Sequence, residues 1–503
     1  MAAWFGAGMQ TDAFNVAFRV PNLLRDLFAE GALSAAFVPT FTAVDHREGR
    51  QRAWRLGAQV LNALALSLAA LTVVGWFITP LLVRLLAPGF ADEPGKLELT
   101  IELSRIMLPF LLFVALAAAV MGMLNAVHRF TVPALAPVFL NVGMIAGGLA
   151  LIPVFQSAGV LLGGLLQFAV QLPTLWAMGF RPAWPPELTH PGVRRIATLM
   201  VPATIGLAAT QLNLFVNTIL ASTLVEGSVS WLAYAFRLMQ LPIGIFGVAI
   251  ATVSLPAVSR HAVAGDLRSL RTTLAAAVRL VFALTLPATF GLYALAGPLV
   301  RLLYERGRFS AADTDRTAAA LAAYCVGLCA YAAVKVLVPA FYALGDTKTP
   351  VRASFLSVAV NLAGNLALMG PLGHVGLALS TSLTMLFNFA QLSWALRRRL
   401  GRFEGRALLS TLARTAIPAA IMAGVVRAVV FLTEASWRGS FAGAAVVVAG
   451  GMSLGLLLTW ALYRAARVAE LPELEAAVGD VARRLGIRNG RAGGRDGGAP
   501  GAP

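Results

Sequence analysis

The chain has 503 residues, of which 58% are hydrophobic and only 13% charged, and its formal net charge is +17. A soluble domain carries about 25% charged residues, so this composition excludes a soluble globular protein. The basic surplus falls in short clusters between apolar runs, not on one face beside a reading motif, which argues against a nucleic-acid binder.

Apolar runs of bilayer length recur along nearly the whole chain, and strand-like alternation is absent. Lipid offers no partner for an unpaired backbone amide, so the expected fold is an all-α polytopic membrane protein and not a barrel. In chain order the spans are expected near 13–44, 53–87, 98–127, 132–154, 157–179, 195–224, 229–258, 270–297, 315–344, 349–370, 374–397, 408–432 and 439–465. No separate cleavable leader is expected before the first of them. The connections alternate in charge. One set holds Arg47, Arg50, Arg52, Arg55, Arg129, Arg181, Arg194, Arg195, Arg260, Arg268, Arg271, Lys348, Arg352, Arg397, Arg398, Arg399, Arg402 and Arg406. The other holds Lys96, Arg438 and the four arginines Arg301, Arg306, Arg308 and Arg316. The richer set is expected on the cytoplasmic side, which puts the C-terminus inside and residues 1–12 outside. The basic 298–312 connection breaks the pattern and reads as an amphipathic segment lying at the outer interface. From Ala469 the tail offers one short amphipathic helix and then a Gly/Pro-rich basic stretch expected to be disordered.

The chain contains an internal repeat. Leu82 to Leu86 reads LVRLL, as does Leu299 to Leu303. Gly147, Leu149, Ala150 and Leu151 recur as Gly364, Leu366, Ala367 and Leu368, and Pro133 recurs as Pro350. Ala17-Phe18-Arg19 recurs as Ala235-Phe236-Arg237, each arginine followed nine residues on by a phenylalanine, Phe28 and Phe246. The offset covers six spans, and an even number preserves direction. The halves therefore read as parallel repeats with a substrate site between them, one layout of secondary transporters. The expected domains are 1–180 (first lobe), 190–400 (second lobe), 405–467 (two additional helices) and 468–503 (cytoplasmic tail). Nothing precedes the first Arg-bearing helix, whereas span 195–224 precedes the second. One helix of the first lobe is thus expected to be missing, through a late start or a truncation.

The first span carries Asp12, Asn15, Arg19, Asn22, Asp26 and Glu30 at helical spacing, so they share one face, with Arg25 beside it. Its repeat partner carries Ser230, Tyr234, Arg237, Gln240, Gly244 and Gly247. Two such stripes would face each other across the interlobe cavity. An arginine at the bilayer centre costs about 2.5–3.5 kcal/mol on insertion scales, so intramembrane charges usually have a use. Arg19, Arg25 and Arg237 point to an anionic ligand, because guanidinium forks bind two phosphate oxygens at once. The structural alternative is that Arg19 and Arg25 pair with Asp12, Asp26 and Glu30 and only lock helices. Arg237 has no acid on its own helix. Arg279, Lys335, Arg414 and Arg427 either line the cavity or pair elsewhere. Asn217, Asn361 and Asn365 offer oxygens to a coupling cation, although interhelical hydrogen bonding is the commoner role. Cys325 and Cys329 read as small core residues, with no metal site. The five histidines are scattered and no catalytic constellation is present, so no enzyme is expected.

These residues carry a resemblance. FGAGMQTDAFNVAFRVPNLLRDLFAEGALSAAFVPTF at 5–41, FRLMQLPIGIFGVAIATVSLP at 236–256 and FYALGDTKTPV at 341–351 are similar to the MurJ (MviN) family, the lipid II flippases of bacterial peptidoglycan synthesis. The resemblance covers essentially residues 4–465. It implies two six-helix lobes plus two helices, in a superfamily with drug and oligosaccharide-lipid exporters. It implies that undecaprenyl-pyrophosphate-linked disaccharide-pentapeptide is moved from the inner to the outer leaflet of the cytoplasmic membrane by alternating access. By motif position the pyrophosphate contacts fall on Arg25 and Arg237, with Asp12 and Arg19 as cavity neighbours and Asn22 and Gln240 on the same stripes. Asn217 stands where some members have an acid in an ion site, and Gln240 where some have a carboxylate. No cofactor is expected, and coupling is to the membrane potential or a monovalent cation. Partners are lipid II, membrane lipids and the cell-wall synthesis machinery, with no nucleic acid. The rival readings are a cation-coupled drug or other oligosaccharide-lipid exporter, a transferase acting on polyprenyl phosphates and a non-transporting cell-wall scaffold.

Overall fold

The computed structural model describes residues 2–25, 33–149, 153–187, 190–401, 405–472 and 475. Asp26, Phe28, Glu30, Ala150, Leu151, Arg402 and the remainder of the tail lie outside these residues. Among the described residues there is no strand, and eleven helices are long and apolar enough to cross a membrane. They coincide with eleven of the thirteen expected spans. The other two expected spans, 13–44 and 195–224, fall on a pair of shorter helices and on a 32-residue helix.

The first half opens with α1 (Ala2–Phe5), α2 (Met9–Arg25), α3 (Ser34–Glu48) and the 37-residue α4 (Arg50–Leu86). A short 3₁₀ turn at Pro88–Asp92 leads to α5 (Lys96–Met107), α6 (Phe110–Ala126), α7 (Thr131–Leu149), α8 (Pro153–Ala169) and α9 (Leu172–Ala177). The second half runs through α10 (Pro191–Ser222), α11 (Ser228–Pro242), a π-helical stretch at Ile243–Val248, α12 (Ala249–Val263), α13 (Leu267–Ala294) and α14 (Ala296–Tyr304). It continues with α15 (Ala311–Ala343), α16 (Lys348–Leu372) and α17 (His374–Leu400). Beyond it lie α18 (Gly405–Leu432), α19 (Glu434–Gly439) and α20 (Phe441–Ala465).

Helix ends recur at the offset read from the sequence. Arg50 and Leu267 begin α4 and α13; Ala126 and Ala343 end α6 and α15; Thr131 and Lys348 begin α7 and α16. Packing recurs as well: α7 lies along α8 as α16 lies along α17, and α2 lies against α5 as α11 lies against α15. One departure has a plain cause. Pro109 separates α5 from α6, whereas Val326, at the equivalent position, lets α15 run unbroken.

The α7–α8 pair shows how apolar helices associate where burial from water gives no drive. A side chain at Gly143 would strike the backbone of Gly163, and one at Gly159 would come within 2.6 Å of the Gly143 carbonyl oxygen. The backbones touch because these residues are glycines, which is how dispersion contacts hold helices in lipid. The α15–α16 turn is held polar-side out. Asp346 accepts from the Thr349 amide and hydroxyl and pairs with Arg399 at 3.1 Å. Those hydrogen bonds, chiefly that from the Thr349 hydroxyl, hold its carboxyl below the usual range.

Two segments beyond the spans are held against the bundle. The 298–312 connection is tied to its neighbours. Its helix α14 packs on α15 and α20, Phe309 is buried, and the Arg308 amide donates to the Ala3 carbonyl at 2.9 Å. The start of the tail is ordered: Val468 and Glu470 are buried, and Glu470 accepts from Thr411 at 2.9 Å and pairs with Arg279 at 3.2 Å. An acid placed just past the last span thereby pins α13, α18 and the end of α20 together.

Gly143→Ala should therefore lower the thermal unfolding midpoint in detergent, by an amount corresponding to about 1–3 kcal/mol of overpacking. Gly450→Ala, where a Cβ meets nothing within 4 Å, should leave the midpoint unchanged or raise it.

Candidate functional site

The two polar stripes meet at one end of the bundle. Asp12 is 1% exposed and its carboxylate is saturated. One oxygen accepts from the Ser230 amide at 2.9 Å and the Ser230 hydroxyl at 2.6 Å. The other accepts from the Gly227 amide at 2.8 Å and from Lys96 Nζ at 3.1 Å. Gly227 is the N-cap of α11 and has no side chain to offer its orphan amides. Asp12, from the other half of the chain, caps that helix in trans and places a negative charge on its positive end. Gly227 is obligatory there. Its φ is +90°, and a Cβ would come within 2.7 Å of the Ala7 carbonyl oxygen.

Lys96 completes the strap. It is fully buried between Asp12 and Glu93, 3.0 Å from the latter, and its ammonium lies 4.3 Å over the Phe90 ring. Asn15 donates to Ser230 at 3.4 Å, and the Met9 amide donates to Glu226. These contacts join α2 and its neighbours to α11 and close the Asp12 end of the molecule. The continuations α3 and α12 are not packed on each other in the same way. Sequence reasoning placed Lys96 in one of the connections poorer in basic residues and missed this role. The signal was available in the repeat: Lys96 is equivalent to Asp313, and Asp313 accepts from the Trp231 indole of α11 at 2.8 Å. Both positions hold the helix before them, one with a base and one with an acid.

Asp12, expected as a cavity neighbour of the arginines, is therefore buried in the seal instead, with no lone pair left for a ligand. Further along the stripes the picture changes. Arg19 is half-buried and donates to the Leu214 carbonyl at 3.4 Å. Arg237, on α11, is exposed and near enough for the two guanidiniums to repel each other. Among the described residues Arg237 has no hydrogen bond or ion pair. Tyr324 of α15 neighbours Arg19 and stacks edge-on against Phe236, with ring centroids 5.6 Å apart. Asn22 and Gln240 follow on the same stripes, half-buried, and Arg25 stands half-buried at the end of α2. The structure thus divides the sequence-derived set in two: Asp12 joins the seal, and the arginines lie deeper, with their charge uncompensated at Arg237.

The three asparagines do come together. Asn365 donates to Asn217 at 2.7 Å and to Asn361 at 2.9 Å, while Asn217 donates to Asn213 and Thr381 and Asn361 to Thr384. Two of the three amide oxygens already accept hydrogen bonds, and only Asn365 Oδ1 is buried without a partner. The cluster carries no carboxylate and is largely satisfied within itself. Its geometry fits an interhelical hydrogen-bond ladder between α10, α16 and α17. Among the described residues no group of histidine, cysteine and acidic side chains could hold a metal ion.

A family model described as lipid II flippase MurJ matches residues 1–447. The chain is 40% identical over 442 residues to a probable lipid II flippase MurJ of Rhizobium meliloti (strain 1021), covering 84% of this chain and 81% of that protein. It is 39% identical over 411 residues to a lipid II flippase MurJ of Burkholderia cenocepacia, covering 79% of each. Among solved structures, a lipid II flippase MurJ in an inward closed conformation superposes with a TM-score of 0.77 at 25% identity, over 92% of this chain and 94% of that one.

Removing one partner of a buried ion pair costs about 3–5 kcal/mol, because the other charge is left stranded. Asp12→Asn and Lys96→Met should each lower the unfolding midpoint in detergent, and the double variant should lose clearly less than the sum. Additive losses would show that the two groups do not act together.

Proposed function

The chain belongs to the MurJ family of lipid II flippases, and we infer that it carries lipid II from the inner to the outer leaflet of the cytoplasmic membrane, its arginines holding the pyrophosphate. It is a multi-pass membrane transporter serving peptidoglycan synthesis. The Asp12 end is the outer end on this reading, since the opposite connections carry the richer set of lysines and arginines.

The observation that supports the site is the placement of Arg19 and Arg237. They lie beyond a sealed end, on facing helices, and Arg237 makes no ion pair among the described residues. An uncompensated guanidinium at membrane depth is costly unless an anion joins it. Pyrophosphate supplies about two negative charges, and low-dielectric walls strengthen the attraction. Arg25 and Asn22 approach the same anion from α2, and Gln240 does so from α11.

Moving the headgroup outward requires the Asp12 seal to open, so the three hydrogen bonds from Gly227 and Ser230 to Asp12 must be exchanged for water. Two forces act in that direction. The inside-negative potential favours expulsion of an anion by about 2.3 kcal/mol per charge per 100 mV. The bound phosphate also neutralises the arginines, which lets the lobes rearrange around it. Coupling to the potential therefore needs no ion at the asparagine ladder. An exporter of organic cations fits less well, because the described cavity presents Arg19 and Arg237 and its one described stripe acid, Asp12, is saturated.

Arg237→Ala, as the sole copy in cells depleted of their native flippase, should fail to support growth while still reaching the membrane at normal abundance. Normal growth with that variant would sink the arginine assignment.

A further inference from the structure

Of the four cations left open by the sequence, two are accounted for by contacts. Arg279 pairs with Glu470, and Arg414 donates to the Arg467 carbonyl. Lys335 is different. It is exposed, lies in the span Ala311–Ala343, and has no ion pair among the described residues.

The direction in which Lys335 points follows from its helix. On α15 the other faces are occupied. Ser382 of α17 donates to the Ala323 carbonyl, Ala332 lies against Gly247 of the π-helical stretch, and Cys329 meets Thr289 of α13 at 3.1 Å. Tyr324, Tyr331, Lys335 and Tyr342 are spaced by seven, four and seven residues, so they share the remaining face. Tyr324 on that face neighbours Arg19. Lys335 is therefore on the cavity side, its ammonium 5.4 Å from the Tyr331 ring centroid. Eleven residues of helix put it about 16 Å from the level of Tyr324, toward the end opposite the seal.

We propose that Lys335 is a second anion contact of the cavity, taking a carboxylate of the peptide stem while the arginines hold the pyrophosphate. The proposal rests on the reading of Arg19 and Arg237 given above. The geometry supports a stem carboxylate over a second phosphate. The two phosphates of a pyrophosphate are adjacent and cannot span about 16 Å, whereas a peptide extends about 3.3 Å per residue, so a five-residue stem reaches that far. Such a stem carries free carboxylates, including its C-terminal one. A lysine suits this task, being a mobile point charge on a flexible stem that can follow a carboxylate of variable position.

Affinity of the purified full chain in nanodiscs would be measured for lipid II and for undecaprenyl pyrophosphate, which lacks sugars and peptide. Lys335→Gln should weaken lipid II binding about fivefold, consistent with one exposed charge pair of about 1 kcal/mol. It should leave undecaprenyl pyrophosphate binding unchanged, and Lys335→Arg should restore lipid II binding. Arg237→Ala should weaken both ligands. Unaltered lipid II affinity in Lys335→Gln overturns the proposal, and so does an equal loss for the two ligands. If Arg237→Ala spares both ligands, the pyrophosphate assignment fails instead.

Discussion

One buried carboxylate is the most heavily engaged link between the two halves of this protein. Asp12 reaches from the first half to the N-terminus of α11 in the second and takes both backbone donors and a hydroxyl there. Desolvating it is expensive, and the buried ammonium of Lys96 makes it affordable. The consequences spread outward. Gly227 has to be glycine, α5 has to begin with a lysine, and Phe90 has to lie beneath that lysine. Opening this end must undo the three hydrogen bonds from Gly227 and Ser230 to Asp12, while the ion pair with Lys96 stays within the first half.

Below the seal the chemistry inverts. Among the described residues the first stripe begins with an acid and continues with amides and arginines, so once Asp12 is engaged that part of the stripe is positive. Arg19 and Arg237 come from equivalent positions of the repeat and repel each other across the cavity. A ligand with concentrated negative charge relieves that repulsion, and an organic cation would add to it. Lys335 extends the positive surface toward the other end of α15. The resulting cavity suits a long substrate with anionic groups at two levels.

Much of this was legible in the sequence. The apolar runs located the helices because bilayer thickness imposes their length, and the 217-residue offset anticipated where helices begin and end. The stripes were legible because helical spacing puts Asp12, Arg19 and Asn22 on one face. What the sequence could not separate was which polar residues lie in the seal and which in the cavity, since periodicity gives a face but not a depth. Asp12 was misplaced for that reason. Lys96 was missed because an apparent loop lysine next to acids looks solvated until a partner is known to cover it. The partners of 298–312 were hidden in the same way: α14 packs on α15 and α20. Glu470 shows the same limit, an acid in a polar tail that turns back into the helix bundle.

The central claim is that Asp12 keeps the outer ends of the lobes together. Spin labels at Asp92 and Val225, both exposed and on opposite sides of the seal, would report its width by electron-electron double resonance in nanodiscs. With Asp12 present, a single short distance should dominate. In an Asp12→Ala background the distribution should move to longer distances. An unchanged short distance in that background would contradict the account.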